Sequence, residues 1–162
     1  MTRILIAVDG SGQSERAVEY VGGLLRATPD VQVTLFHVLK PIPRELLEHG
    51  GSENPKTEDG LSRTLRNQQE EWIQAESARE YPILAQALDV LGKAGFPLDR
   101  AATSFGHEED VVRNILEEAR AGSYGTVVVG RHRSHGTKRL FGKDTVEQLL
   151  RDAKDLAVWV VE

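Results

Sequence analysis

Short runs that are apolar at every position, not just at alternate ones, constrain this sequence most. "ILIAV" (4–8), "VVV" (127–129) and "LAVWVV" (156–161) have no polar side to turn to water. Such strands must be covered on both faces, which is the condition of a parallel sheet between two helical layers. The stretches between them read as helices. In "SGQSERAVEYVGGLLRAT", Ala17, Val18, Val21, Leu24 and Leu25 form one stripe at helical spacing. Ser11 or Ser14 caps its start, and Pro29-Asp30 closes it. "VQVTLFHVL" alternates into a second strand over 31–39. A weaker strand is expected around 99–105.

The remaining helices follow the same logic. Leu61, Leu65, Trp72, Leu84, Leu88 and Leu91 predict helix over most of 61–96, with Pro82 expected to kink or restart it and Gly95 to end it. "HEEDVVRNILEEARAGS" places Val111, Val112, Ile115, Leu116 and Ala119 on one face, and its acids are expected to fill the first turn. "KDTVEQLLRDAKD" is a last helix. Strands and helices thus alternate five times. Right-handed crossovers then give one doubly wound, three-layer α/β domain over 1–162. Ligands of such sheets bind beyond the C-terminal strand ends. Those ends carry Val8-Asp9-Gly10, His37-Val38-Leu39, Phe105-Gly106 and Val129-Gly130. The polar, Pro- and Gly-punctuated stretch 41–62 is long for a connection and is expected to be a functional flap or a mobile segment.

Composition removes several classes of function. There is no cysteine, hence no disulfide framework and no thiolate chemistry. No run approaches a membrane span, and the N-terminal run breaks at Asp9 in a way no secretory signal does. The net charge of −5 argues against broad nucleic-acid binding. One loop departs from that balance. From Gly130 to Lys143 there are Arg131, His132, Arg133, His135, Lys138, Arg139 and Lys143, and no acid. The loop ends at Gly142 before a helix, whose first backbone amides together with Lys143 would suit an anion. A solvated loop with turn-forming glycines is the other reading.

Known phosphate motifs do not fit. A Walker A loop fails on spacing and on the hydroxyl, because Gly136 and Gly142 are one residue too far apart and Asp144 follows Lys143. A dinucleotide fingerprint fails at Glu15, where its third glycine belongs. Asp9 reads either as an acceptor for a ribose or base edge or as a cap for the next helix. His132 and His135 lack a neighbouring carboxylate, and His107 to Asp110 read as a helix start, so no metal is expected. His37 reads as partly buried structure, Trp159 as core or interface, and Trp72 as the apolar face of its helix.

"ILIAVDGSGQSERAVEYV", "VVVGRHRSHGTKRLFGKDTVEQLL" and "LAVWVV", in this order, resemble the universal stress protein family. The resemblance covers the whole chain and is weakest over 40–100. It implies a five-stranded parallel sheet of order 3-2-1-4-5, a homodimer through the last strand, and a cytoplasmic role in stress tolerance. In members that bind ATP the loop runs glycine, two residues, glycine, nine residues, glycine, then Ser or Thr. Gly130 matches the first glycine. Arg133 stands at the second, Gly142 comes one residue early, and Lys143 replaces the hydroxyl residue. Ala157 stands for the family's proline and Gly125 for its acid. The implied nucleotide residues are Ala7, Val8, Asp9, Val38, Val129, Gly130, Arg131, Arg133, Gly142, Lys143 and Asp144.

The base and ribose half thus reads as kept and the triphosphate half as altered. The expected protein is a dimeric stress-response protein, more a binder than an enzyme, with no or weak ATP binding. A switch that binds ATP or AMP through the basic loop is the alternative. A module for acidic partners or nucleic acid is the third reading.

Overall fold

The computed structural model describes residues 1–39, 42–46, 55–107, 109–131 and 143–162, without the side chains of 55–59, 61 and 143. Among the described residues, five strands and four α-helices alternate: β1 (Thr2–Ala7), α1 (Gly12–Leu25), β2 (Val31–Val38), α2 (Pro55–Lys93), β3 (Ala101–Gly106), α3 (Val111–Ala121), β4 (Thr126–Gly130), α4 (Lys143–Asp152) and β5 (Ala157–Val161). All strand pairs are parallel, and the sheet order is β3-β2-β1-β4-β5. This is the topology the resemblance implied.

The two-sided apolar strands supply two cores. Ile4 and Ile6 of β1, Val8 just beyond it, Val31, Val33 and Leu35 of β2 and Val128 of β4 pack with Ala17, Val18 and Val21 of α1 and Leu84, Ala87 and Leu91 of α2. Leu5, Ala7, Phe36, Val38, Val127 and Val129 point the other way, onto Val112, Ile115, Leu116 and Ala119 of α3 and Val146 and Leu149 of α4. The alternation of side chains along a strand therefore feeds both layers from the same residue run.

The element ends correct several expectations. α2 begins at Pro55, inside the stretch expected to be a flap over 41–62, because proline suits the first helical turn, where no amide is needed. A short 3-10 turn at Arg44–Leu46 also lies in that stretch, while 47–54 fall outside the described residues. α2 continues through Pro82 without restarting. Burial of Leu84, Ala87 and Leu91 against the sheet offsets the backbone bond the proline lacks. α3 has no acid in its first turn; Asp110 is instead its N-cap, accepting from Arg113 N at 3.1 Å. Trp72 is half-buried on α2, and Trp159 is half-buried at the margin of the first core.

Candidate functional site

At the C-terminal end of the sheet β1 and β4 diverge. β4 stays paired with β5 through Gly130, but with β1 only as far as Val128. The strand order also reverses here, since β1 leads out to β2 and β3 while β4 leads to β5. This is the switch point at which open α/β sheets place ligands.

Local hydrogen bonds build the turn that leaves β1. Gly10 has φ +79°, a conformation open to glycine for want of a Cβ. Asp9 Oδ1 accepts from Ser11 N at 3.0 Å. Ser11 is the N-cap of α1, its hydroxyl accepting from Ser14 N at 3.2 Å. Ser14 Oγ in turn donates to the Ser11 carbonyl at 3.1 Å and accepts from the Asp9 amide at 3.3 Å. Asp9 is thus a turn-former before α1 and not its cap, the structural role the sequence offered it; Ser11 caps the helix, and Asp9 remains half-buried on the loop.

Gly130 has a packing reason to be glycine. A Cβ there would lie 2.6 Å from the Gln13 carbonyl carbon and 2.9 Å from Ser14 N. The first turn of α1 therefore rests directly on the end of β4. Sequence reasoning assigned Gly130 to a ligand and missed this contact, because Gln13 is far away along the chain.

The other expected site residues divide by what they present. Ala7, Val8, Val38 and Val129 are buried, with their side chains in the two cores. Each can offer a ligand only backbone atoms and an apolar wall. Arg131 is exposed, but it extends the β4–β5 pairing: its amide donates to the Val161 carbonyl at 2.9 Å, and its Nε lies 3.4 Å from Glu162 Oε1. It lines a groove of about 500 Å³ with Gly12, Gln13, Arg16 and Glu162. Arg133 and Gly142 lie outside the described residues, as does the side chain of Lys143, the first residue of α4. Asp144 is an exposed acid in the first turn of α4.

Sequence reading also undervalued His37. It belongs to the β2 row Val31, Val33, Leu35 and is as buried as they are, at 4 % exposure. Its Nδ1 is 2.8 Å from the Val8 carbonyl oxygen. A carbonyl only accepts, so Nδ1 carries the proton. Among the described residues no group of three or more His, Asp or Glu side chains is placed to hold a metal ion, and no helix is long and apolar enough to cross a membrane.

A doubly wound α/β protein whose β1 and β4 part at the switch point, with Asp9 on the first crossover turn, has its crevice where open α/β sheets hold ligands. The Universal stress protein family model matches residues 1–161, and the chain belongs to that family. No curated protein sequence matches it. Solved structures share its fold at low identity. A universal stress protein in complex with cAMP is 16 % identical with a TM-score of 0.61, covering 99 % of this chain and 96 % of its own. The universal stress protein from Archaeoglobus fulgidus in complex with dAMP is 15 % identical with a TM-score of 0.61, covering 100 % and 98 %. A universal stress protein family protein from Arabidopsis thaliana with AMP bound is 17 % identical with a TM-score of 0.58, covering 99 % and 91 %.

Proposed function

We propose that this chain is a dimeric, cytoplasmic stress-response protein whose β1/β4 crevice takes the adenosine half of a nucleotide, with little added by further phosphates. The observation that carries this reading is the divergence of β1 and β4 beyond Ile6 and Val128, which leaves Asp9 on one side and Gly130 on the other. Val38 and Val129, buried at the ends of β2 and β4, would offer a ligand there backbone atoms and apolar packing. The three family structures named above each contain a nucleotide with a single phosphate group.

The phosphate side fits less well. Arg131, one of the basic residues expected to meet phosphates, faces Glu162. Asp144 suits the dipole of α4 but adds a negative charge where a phosphate would approach the helix start. In the sequence Arg133 brings a Cβ where the family pattern has glycine.

Titration calorimetry with AMP, cyclic AMP and ATP tests this. AMP and ATP are expected to bind within about threefold of each other. ATP binding more than about tenfold tighter would favour a triphosphate switch built on the basic loop. No heat from any of them at millimolar ligand would refute a nucleotide role.

A second part of the proposal concerns assembly through β5. Among the described residues this strand pairs only with β4, and it is half-exposed along most of its length. Beside it a groove of about 540 Å³ is lined by Tyr20, Leu24, Trp159 and Val161 among others. Tyr20 and Leu24 are each 53 % exposed. A bare apolar edge strand is a template for another strand, and a second copy of β5 would meet both needs. The Ala157 amide and the Val161 carbonyl bond to the β4 side, so the backbone groups of Val158 and Val160 point outward. Val160→Pro should therefore remove an outward amide, leave the fold intact, and halve the mass measured by light scattering. A wild-type monomer at micromolar concentration would refute the dimer.

A further inference from the structure

α2 meets the β1–α1 turn at two neighbouring points. Ile83 packs against Gly10, where a Cβ would lie 3.3 Å from Ile83 Cδ1. One turn earlier, Glu80 Oε2 lies 3.6 Å from Nε2 of His37, whose Nδ1 is bonded to the Val8 carbonyl. A chain of contacts thus runs from α2 through one buried ring to the residue before Asp9. Pro82 sits between the two points and has no amide to give the Ala78 carbonyl. The helix is weakest in its own bonding where it touches the turn.

The chemistry of the His37–Glu80 contact depends on one proton. Nδ1–H is committed to a carbonyl. A neutral ring therefore shows Glu80 a lone pair at Nε2. An ionised carboxylate also only accepts, so two acceptors face each other at a distance too long for a hydrogen bond. A proton taken up from solvent at Nε2 turns that opposition into a charge-assisted hydrogen bond, in a place where water screens little. Both partners are largely covered, with side-chain exposures of 5 % and 22 %.

We propose that His37 and Glu80 form a proton-operated latch that fastens α2 to the β1–α1 turn. The latch is closed when the ring is a cation and slack when it is neutral. Proton uptake at Nε2 closes it, so acid favours the closed form.

Among the described residues, the other groups around the ring leave Glu80 as the partner for Nε2. β3 brings the edge of Phe105, with ring centroids 6.2 Å apart, and no charge. The start of the β1–α1 turn brings the Val8 carbonyl, and the Asp9 carboxylate there accepts from Ser11 N. On α2, Glu76 lies one turn before Glu80. It is itself buried, and its Oε1 is engaged by Arg79, the cation of this stretch. His107, beyond the end of β3, is exposed.

The latch has leverage because of the length of α2. At 39 residues the helix is about 58 Å long. The eight residues of β2 span only about 26 Å. Glu80 meets His37 near the C-terminal end of β2, so the helix N-terminal to Glu80 projects past the sheet on the side of the crevice. Closing the latch ties that projecting arm to the turn that bears Asp9. This inference stands whether or not a nucleotide occupies the crevice.

Amide hydrogen exchange of the whole, ligand-free protein at pH 5.5 and pH 8, corrected for each amide's intrinsic rate, tests it. In the wild type the amides of residues 8–14 and 78–84 should be about tenfold better protected at pH 5.5, the equivalent of about 1.4 kcal/mol. Amides in the middle of α3 should show no such difference. In Glu80→Gln the carboxamide donates to the neutral ring, so protection at these two segments should be high and equal within about twofold at both pH values. Equal wild-type protection at the two pH values overturns the latch, without need of any variant. So does a Glu80→Gln protein that keeps the wild-type pH difference. Because no nucleotide is present, these outcomes are independent of the calorimetric test above.

Discussion

Replacing Gly130 by alanine separates two reasons for a glycine at the end of β4. If it is there only to admit a ligand, the methyl group costs the free protein nothing. The packing says otherwise. The new Cβ would lie 2.6 Å from the Gln13 carbonyl carbon and 2.9 Å from Ser14 N. Ordinary carbon–carbon contacts are about 3.5–4.0 Å, so about an ångström of room must be found. Both obstacles are backbone atoms, so no side chain can swing away. The first turn of α1 must lift from β4, and the Asp9–Ser11–Ser14 hydrogen bonds are anchored in that turn. Overpacking of this kind costs about 1–3 kcal/mol. For a chain of this size that is a fall in Tm of about 2–12 °C. Urea denaturation of wild type, Gly130→Ala and Gly12→Ala measures it. Gly12 is the control, since a Cβ there meets nothing within 4 Å. A Gly130→Ala protein within about 0.5 kcal/mol of wild type would refute the close approach of α1 to β4, and with it the shape of the crevice between β1 and β4.

Three further outcomes follow from particular contacts. Ser11→Ala removes the hydroxyl that accepts from Ser14 N and should cost about 1 kcal/mol in chemical denaturation; no change would mean the cap bond does not form in solution. Tyr124→Phe removes a hydroxyl that donates to Thr34 Oγ1 at 2.9 Å and leaves that buried group without it. It should cost about 1–3 kcal/mol, and Thr34→Val in the same background should recover part of the loss; equal losses from the single and the double variant would count against the bond. Lys93 is held above its ordinary value of 10.5 by its hydrogen bond to Asp89 and then by the Asp89 charge. A raised lysine contributes stability that is present below about pH 10.5 and lost as pH rises through the bound value. Lys93→Met should therefore lower stability at neutral pH and flatten the alkaline limb of the stability curve, and an alkaline limb unchanged from wild type would contradict the pairing.

Much of the architecture was legible because it rests on local patterns. The apolar runs 4–8 and 127–129 require cover on both faces, and the structure divides their residues between two cores. The helical stripe of Ala17, Val18, Val21, Leu24 and Leu25 predicted which side of α1 faces the sheet, except at Leu24, which is exposed. Ser11 at the head of that stripe was one of two candidate caps, and it is the one used. Where local rules conflicted with packing, they lost. A proline inside a helical pattern argues for a break, yet the Leu84, Ala87 and Leu91 contacts carry α2 through Pro82. The acids before α3 suit a helix dipole, but a single Asp110 cap sets the start one turn later.

The candidate site was legible only as a set of strand ends. By itself the sequence determined the class of sheet, the ends at which a ligand would be met, and the turn chemistry of Asp9-Gly10-Ser11, since each of these depends on neighbours a few residues apart. Only the tertiary structure decided that Gly130 is held open by the backbone of Gln13, that Arg131 pairs with Glu162, and that His37 links Val8 to Glu80. These partners are separated along the chain by whole strands and helices. Their meeting is set by strand order and crossover, which no local periodicity encodes, and by burial, which makes a single lone pair or methyl group count.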